Sequence, residues 1–415
     1  MAGSMPASIP AGRWLLYPVL SLVVVAPLVA WFYWPAGNGV DVTGHQIGRD
    51  FINNWVGPQL AFDGQMATLF DLEGYHGALG RLYGQPLPFH NWGYPLFTLP
   101  AFWPLAQLPY FWALAVWTVG LFALFAGVTL SQVEPRQRGY ALLALMLAPA
   151  CLINAIGGQN GFLSAALLLG GMLNIDRRPV LAGVLFGLLT FKPHLGLVVP
   201  FVLLALGAWR VIVSATLTAI VLIAVTIPLF GTEPWLRYVE VTGAYQAVLL
   251  DRFHGFYTSM MASIFAGART LGLSYAAAMT VQVAVAIPVL TTAIWAVRRT
   301  ADPCQRAMLV ACASVLVSPY AFNYDLTAVS AGLVWMLAGR LPLRAEYGAV
   351  YLIAWIAPAA MMYFNMAGFG VLPLALLALY AIVVRDAVAD RVPGDTPAPV
   401  TPALTTGPQR AAWRH

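Results

Sequence analysis

From Trp14 to Trp34 the chain reads WLLYPVLSLVVVAPLVAWFYW without one charged side chain, and comparable runs return near 108–130, 210–230 and 275–297. About 20 such residues cross the hydrocarbon of a bilayer as a helix. A spanning segment has no water to bond there, so its backbone must satisfy its own hydrogen bonds, as a helix does. Recurrence of these runs from end to end points to an all-α polytopic membrane protein. Composition agrees: charged residues are 9% of the 415, against about 25% in a soluble domain. The net charge of +5 comes from scattered arginines, so membrane lipids are expected partners and nucleic acid is not.

About 12 segments are expected, over roughly 14–34, 108–130, 139–156, 161–174, 179–190, 195–208, 210–230, 275–297, 307–318, 325–339, 347–363 and 370–385. Those between 161 and 208 and between 307 and 339 are short and interrupted by glycine or proline. Broken helices of this kind line polar cavities with exposed backbone. The first run lacks a small-residue cleavage site and reads as a retained helix.

The arginines assign the sides. Arg13, Arg136, Arg138, Arg177, Arg178, Arg210, Arg298, Arg299, Arg306, Arg340, Arg344 and the arginines of the tail fall on alternate connections. The positive-inside rule places these, and both termini, in the cytoplasm. The long connections 35–107 and 231–274 are then outside, with His45, His76, His90, His194 and His254. The membrane domain is expected to cover 1–389. The Pro/Thr-rich segment 390–415 is expected to be a disordered cytoplasmic tail. No internal repeat is visible, which counts against transporters built from duplicated halves. Cys151, Cys304 and Cys312 form neither a metal spacing nor a disulfide framework. No carboxylate cluster of metal-ligand spacing stands on the outer side either, so neither a metal nor a cofactor is expected.

Ionisable side chains at membrane depth are costly and are candidates for function. Lys192, in LLTFKPHLGL, is the single lysine. Pro193 ends the preceding helix there, leaving the ammonium either at the mouth of a broken helix pair or snorkelling to headgroups. In GGQNG, Gly157–Gly161, the amides of Gln159 and Asn160 could bond a sugar or close a loop. In SPYAFNYDL, Asp325 could act chemically or cap the next helix. Asp50, in GHQIGRDFINNW, stands beside Arg49, a pair worth little if exposed. It also begins Phe51–Phe62, which reads as an interfacial helix whose dipole favours an ionised base.

Several pieces, in order, resemble the polyprenol-phosphate-dependent glycosyltransferases of family 87, multi-spanning enzymes of the C-type glycosyltransferase fold. They are GRDF with LAFDGQMATLFD, YPLFTLPAFWPLAQLP, GGQNGFLSAALLLGGML, RRPVLAGVLFGLLTFKPHLGLVVP and SPYAFNYDL, reaching to about Leu326. The resemblance implies a catalytic base at Asp50 and a lipid-phosphate contact at Lys192. Its last block departs from the relatives, which carry histidines where this chain has Tyr320, Asn323 and Asp325.

The expected activity is transfer of a sugar, mannose-like by resemblance, from polyprenyl phosphate to a lipid or glycan acceptor at the outer face of a bacterial inner membrane, with inversion. Arg237, Arg252 and Arg269 of the second long connection would help neutralise the leaving phosphate. The expected substrate contacts are Arg49, Gln159, Asn160, Lys192, His194, Arg237, Arg252, His254, Tyr320 and Asp325. The rival readings are a transporter or lipid flippase, and a structural membrane protein.

Overall fold

The computed structural model describes residues 11–88, 90–253 and 255–389, so His254 and the segment 390–415 lie outside the described residues. The architecture is a helical bundle. Helix α1 (Ala11–Leu28) runs through a π-helical turn, Val29–Tyr33, into a short hairpin, Pro35–Gly37 with Val40–Asp41. Asn38 and Gly39, both at positive φ, close that hairpin, as Asn-Gly favours. Helices α2 (Phe51–Phe62), α3 (Leu72–Tyr83) and α4 (Thr98–Ala106) follow in the first long connection, and α5 (Tyr110–Leu130) returns through the bundle.

The next two helices, α6 (Arg138–Leu147) and α7 (Pro149–Ile156), meet at a 57° bend. Pro149 lacks an amide hydrogen and forces Ala148 into an extended conformation, so the helix cannot continue straight. Then come α8 (Gly161–Asn174), α9 (Pro179–Leu188), α10 (Val199–Ala205) and α11 (Trp209–Phe230). The second long connection holds α12 (Glu233–Arg237), α13 (Gly243–Arg252), α14 (Phe256–Ser259) and α15 (Ile264–Thr270). The chain closes with α16 (Tyr275–Val297), α17 (Pro303–Val317), α18 (Thr327–Leu337), α19 (Gly348–Met366) and α20 (Pro373–Ala389).

Among the described residues, five helices are long and apolar enough to cross a membrane, or six if the bent pair counts as one. Of the about 12 segments expected, several of them already shorter than a full span, five or six meet this measure. The five are Trp14–Tyr33, Tyr110–Leu130, Trp209–Phe230, Tyr275–Val297 and Ala345–Met366. The other expected segments are shorter helices, and burial explains several of them. Every residue of α18, and of α17 from Ala307 to Leu316, is buried. A helix that is apolar all round belongs inside a protein, and here such helices form the middle of the bundle, packed on α8, α16 and α20. By contrast, only 11% of the Trp209–Phe230 window is buried, which marks α11 as peripheral.

The reading of Phe51–Phe62 as an interfacial helix is corrected. Phe51, Ile52, Val56 and Leu60 are buried, and α2 packs under α3, α4 and α5 around Tyr75, Leu79 and Trp92. The alternation of polar and apolar positions is a helix wrapped on several sides.

The two ends of the bundle differ. Where α8 and α18 finish and α17 starts, arginines meet aspartates: Arg306–Asp176 at 3.0 Å, Arg340–Asp302 at 2.6 Å and Arg344–Asp386 at 3.0 Å. At the other end of the same helices the chain breaks at 157–161, 189–196 and 318–326. These breaks converge with the two long connections.

Candidate active site

The glycines of GGQNG bring three breaks together. Gly158 has φ +56°, and a Cβ there would lie 2.3 Å from the Gly48 carbonyl oxygen and 2.7 Å from Cβ of Phe51. At Gly161 a Cβ would lie 2.3 Å from the Tyr324 carbonyl oxygen. Only glycine permits such approaches, so this loop seats directly on GRDF at one side and on FNYD at the other. Trp117 Nε1 donates to the carbonyls of Gly158, at 3.1 Å, and Gln159, at 3.3 Å, holding the loop from α5.

Gly158→Ala is therefore expected to lose about 1–3 kcal/mol to overpacking, beyond any backbone strain, and to lower activity by displacing Gln159. Gly64→Ala is the reference, since Gly64 has φ +75° with nothing within 4 Å of its Cβ position. Equal thermal shifts for the two variants would show that close approach at Gly158 contributes nothing.

The loop's two amides connect the charged groups. Gln159 Nε2 donates to Asp50 Oδ2 at 2.7 Å. Lys192 Nζ donates to Asn160 Oδ1 at 2.8 Å and makes an ion pair with Asp325. Asn160 Nδ2 donates to the Tyr94 hydroxyl at 3.2 Å. Asp50 thus reaches Lys192 through two consecutive side chains. Asp50 occupies the N-cap position of α2 but makes no cap hydrogen bond. Its Oδ1 has no hydrogen-bond partner among the described residues.

Lys192 is 7% exposed, which overturns the snorkelling alternative. Its ammonium sits 4.5 Å from the Tyr324 ring centroid. Burial pushes its pKa below the ordinary lysine value, and the Asp325 carboxylate opposes that shift. Asp325 Oδ2 accepts from the Phe322 amide at 2.9 Å. The capping alternative is thus met in altered form: Asp325 closes its own turn, Asn323–Leu326, while its other oxygen serves Lys192.

Arg49 does not pair with its neighbour Asp50. At φ +29° its backbone turns the guanidinium to Asp41, with Nη2 at 2.7 Å and Nε at 3.1 Å from Oδ2. The guanidinium also donates to the Phe32 carbonyl and lies over the rings of Tyr33, at 4.2 Å, and Phe256, at 5.1 Å. This arrangement pins the first long connection to the end of α1. Thr43 Oγ1 donates to Asp41 at 2.6 Å and meets His45 Nδ1 at 2.7 Å. An aromatic group stands opposite: the Tyr320 and Tyr257 hydroxyls are 3.0 Å apart, and His194 meets Tyr320 edge-on at 5.4 Å.

These groups surround a cavity of about 860 Å³. Of the expected site residues, Arg49, Asp50, Gln159, Asn160, Lys192, His194 and Tyr320 line it, and Asp325 stands directly behind Lys192. Arg237 and Arg252 do not line it. Arg237 is exposed and bonds Glu233 one turn away at 2.8 Å, and Arg252 is exposed. Arg269, also off the wall, donates to the carbonyls of Leu273 and Asp251.

The sequence reading missed Tyr94, Tyr257 and Tyr324 as wall residues, and it assigned no site role to His45 or His90. Tyr94 follows a glycine in HNWGYP and Tyr324 sits inside a quoted motif, so loop aromatics were the available signal. Among the described residues no group of three His, Cys, Asp or Glu side chains is placed to hold a metal ion.

An apolar bundle with a carboxylate and a buried ammonium opening on one terminal cavity defines a polytopic membrane protein with a charged pocket at one end. A family model for glycosyltransferase family 87 matches residues 92–319. That is more than half of the chain, and the chain belongs to this family: it is a membrane glycosyltransferase. The match contains Gln159, Asn160, Lys192 and His194 and begins after Asp50. No curated protein sequence and no solved structure matches the chain.

Proposed function

We propose that this glycosyltransferase moves a mannose-like hexose from a polyprenyl-phosphate donor to a hydroxyl of a lipid or glycan acceptor, with inversion and without a cofactor. The acceptor oxygen forms a bond to the anomeric carbon on the face opposite the phosphate. The bond from that carbon to the phosphate oxygen breaks, and its electron pair leaves with the polyprenyl phosphate. Asp50 takes the acceptor's proton through its unengaged oxygen, help worth about 10²- to 10⁴-fold. Lys192 directs an N–H at the phosphate, where a fixed cation stabilises charge as it develops.

The observation that carries this reading is that Asp50 and Lys192 line one cavity, joined by Gln159 and Asn160. Its test is consumption of a labelled polyprenyl-phosphate hexose by the purified protein with membrane acceptors. Failure to bind or consume any such donor overturns it.

The proposal places the cavity at the outer face of a bacterial inner membrane and both termini in the cytoplasm, on the strength of the arginine distribution. Cysteines introduced at Gln65 and Ala244, both exposed, are expected to react in intact cells with a thiol reagent that cannot cross the membrane. A cysteine at exposed Ser131, at the arginine-rich end, is expected to react only after lysis. The native Cys151, Cys304 and Cys312 are buried and give no background. The reverse pattern would overturn the orientation.

A further inference from the structure

The charge balance of the cavity wall narrows the acceptor, on the assumption that the transfer proposed above is the reaction. Among the described residues, the arginine, lysine and acidic side chains lining the cavity are Arg49, Asp50 and Lys192. Arg49 is neutralised by Asp41 and Lys192 by Asp325, and both aspartates are buried. Water therefore screens neither pair. Among the described arginine, lysine and acidic side chains, what remains unpaired on the wall is the single negative charge of Asp50.

Burial and the Arg49 guanidinium lower the His45 pKa, against the Asp41 and Asp50 carboxylates, which disfavours its charged form. Lys192 has three N–H donors. Two are committed to Asn160 and Asp325, which leaves one for an anion. The donor's phosphate takes it. A second anion inside the cavity would meet no free lysine or arginine among the described residues and would face both Asp50 and the donor phosphate, repulsion that grows as water is excluded. Neutral hydrogen-bonding groups are present, among them Asn91, Gln246 and Tyr320.

We infer that the part of the acceptor entering this cavity is an uncharged polyol, with no carboxylate, phosphate or sulfate near the reacting hydroxyl. The test uses three acceptors of matched size with the purified protein and a polyprenyl-phosphate hexose: octyl β-glucoside, octyl β-glucuronide and the methyl ester of that glucuronide. The glucoside and the neutral ester are expected to show kcat/KM at least tenfold above the glucuronide, so that charge and not bulk decides. If none of the three accepts sugar, their order as inhibitors of transfer in native membranes decides on the same terms. A glucuronide equal to or better than its ester overturns the inference while the transfer reaction stands. Absence of donor binding, measured separately, removes the underlying reaction and the inference with it.

Discussion

Asp50→Asn is expected to fold, bind the lipid-linked donor about as tightly as the parent protein, and turn over at least a hundredfold more slowly. The asparagine keeps the shape and can still accept from Gln159, whose amide now bonds Asp50 Oδ2 at 2.7 Å. It cannot accept a proton near neutral pH, so the general-base contribution of about 10²- to 10⁴-fold is lost. Asp50→Glu is expected to be nearly as poor, because one added methylene displaces the carboxylate from the oxygen it must reach. Asp63→Asn, an exposed change at the far end of α2, serves as the control and should retain the parent rate. Turnover of Asp50→Asn within a few-fold of the parent, measured at saturating donor, would falsify the assignment.

Lys192→Met should show two effects that separate in a double variant. The first is stability: losing the ammonium leaves the Asp325 carboxylate buried without its counter-ion, at a cost of about 3–5 kcal/mol. Asp325→Asn strands the lysine in the same way. Lys192→Met with Asp325→Asn removes both charges and should recover most of the thermal stability lost in either single variant. The second effect is binding. Lys192→Met, alone or in the double variant, should weaken donor affinity roughly ten- to a hundredfold, the worth of a charge-assisted hydrogen bond of about 1.5–3 kcal/mol. Asp325→Asn alone should weaken donor affinity less than Lys192→Met does, since the amine remains and the bound phosphate favours its charged form. A double variant that is stable and binds the donor normally would make Lys192 a structural residue only.

Much of this site was visible in the chain, and the residues show why the rest was not. The glycine- and proline-marked breaks at Gly157–Gly161, Lys192–Pro193 and Ser318–Leu326 are local signals, and all three reach the cavity. Asp50, Gln159, Asn160 and Lys192 stand out because polar side chains at such breaks are rare in an apolar chain. The partners were not visible. Asp325 lies 133 residues from Lys192, and Arg49 pairs with Asp41, not with adjacent Asp50, after an Asn-Gly turn and a positive φ redirect the chain. Arg237 was a reasonable phosphate ligand by position, yet a glutamate one helical turn away holds it in the open.

The sequence alone determined the medium and the helical character of the apolar runs. Long uncharged apolar runs can satisfy their backbone in a bilayer only as helices, and that follows from composition and run length without reference to neighbours. It did not determine how many of those helices are full spans, because length also depends on which are sheathed by protein: α18 and the Ala307–Leu316 stretch of α17 are short and interior, while α11 stands at the periphery. Nor did it determine which charges are spent on each other. Coulomb energy depends on distance and local dielectric, and both are products of packing. Only the folded arrangement decided that Arg49 and Lys192 are neutralised by buried aspartates while Asp50 lines the cavity with no ion-pair partner among the described residues.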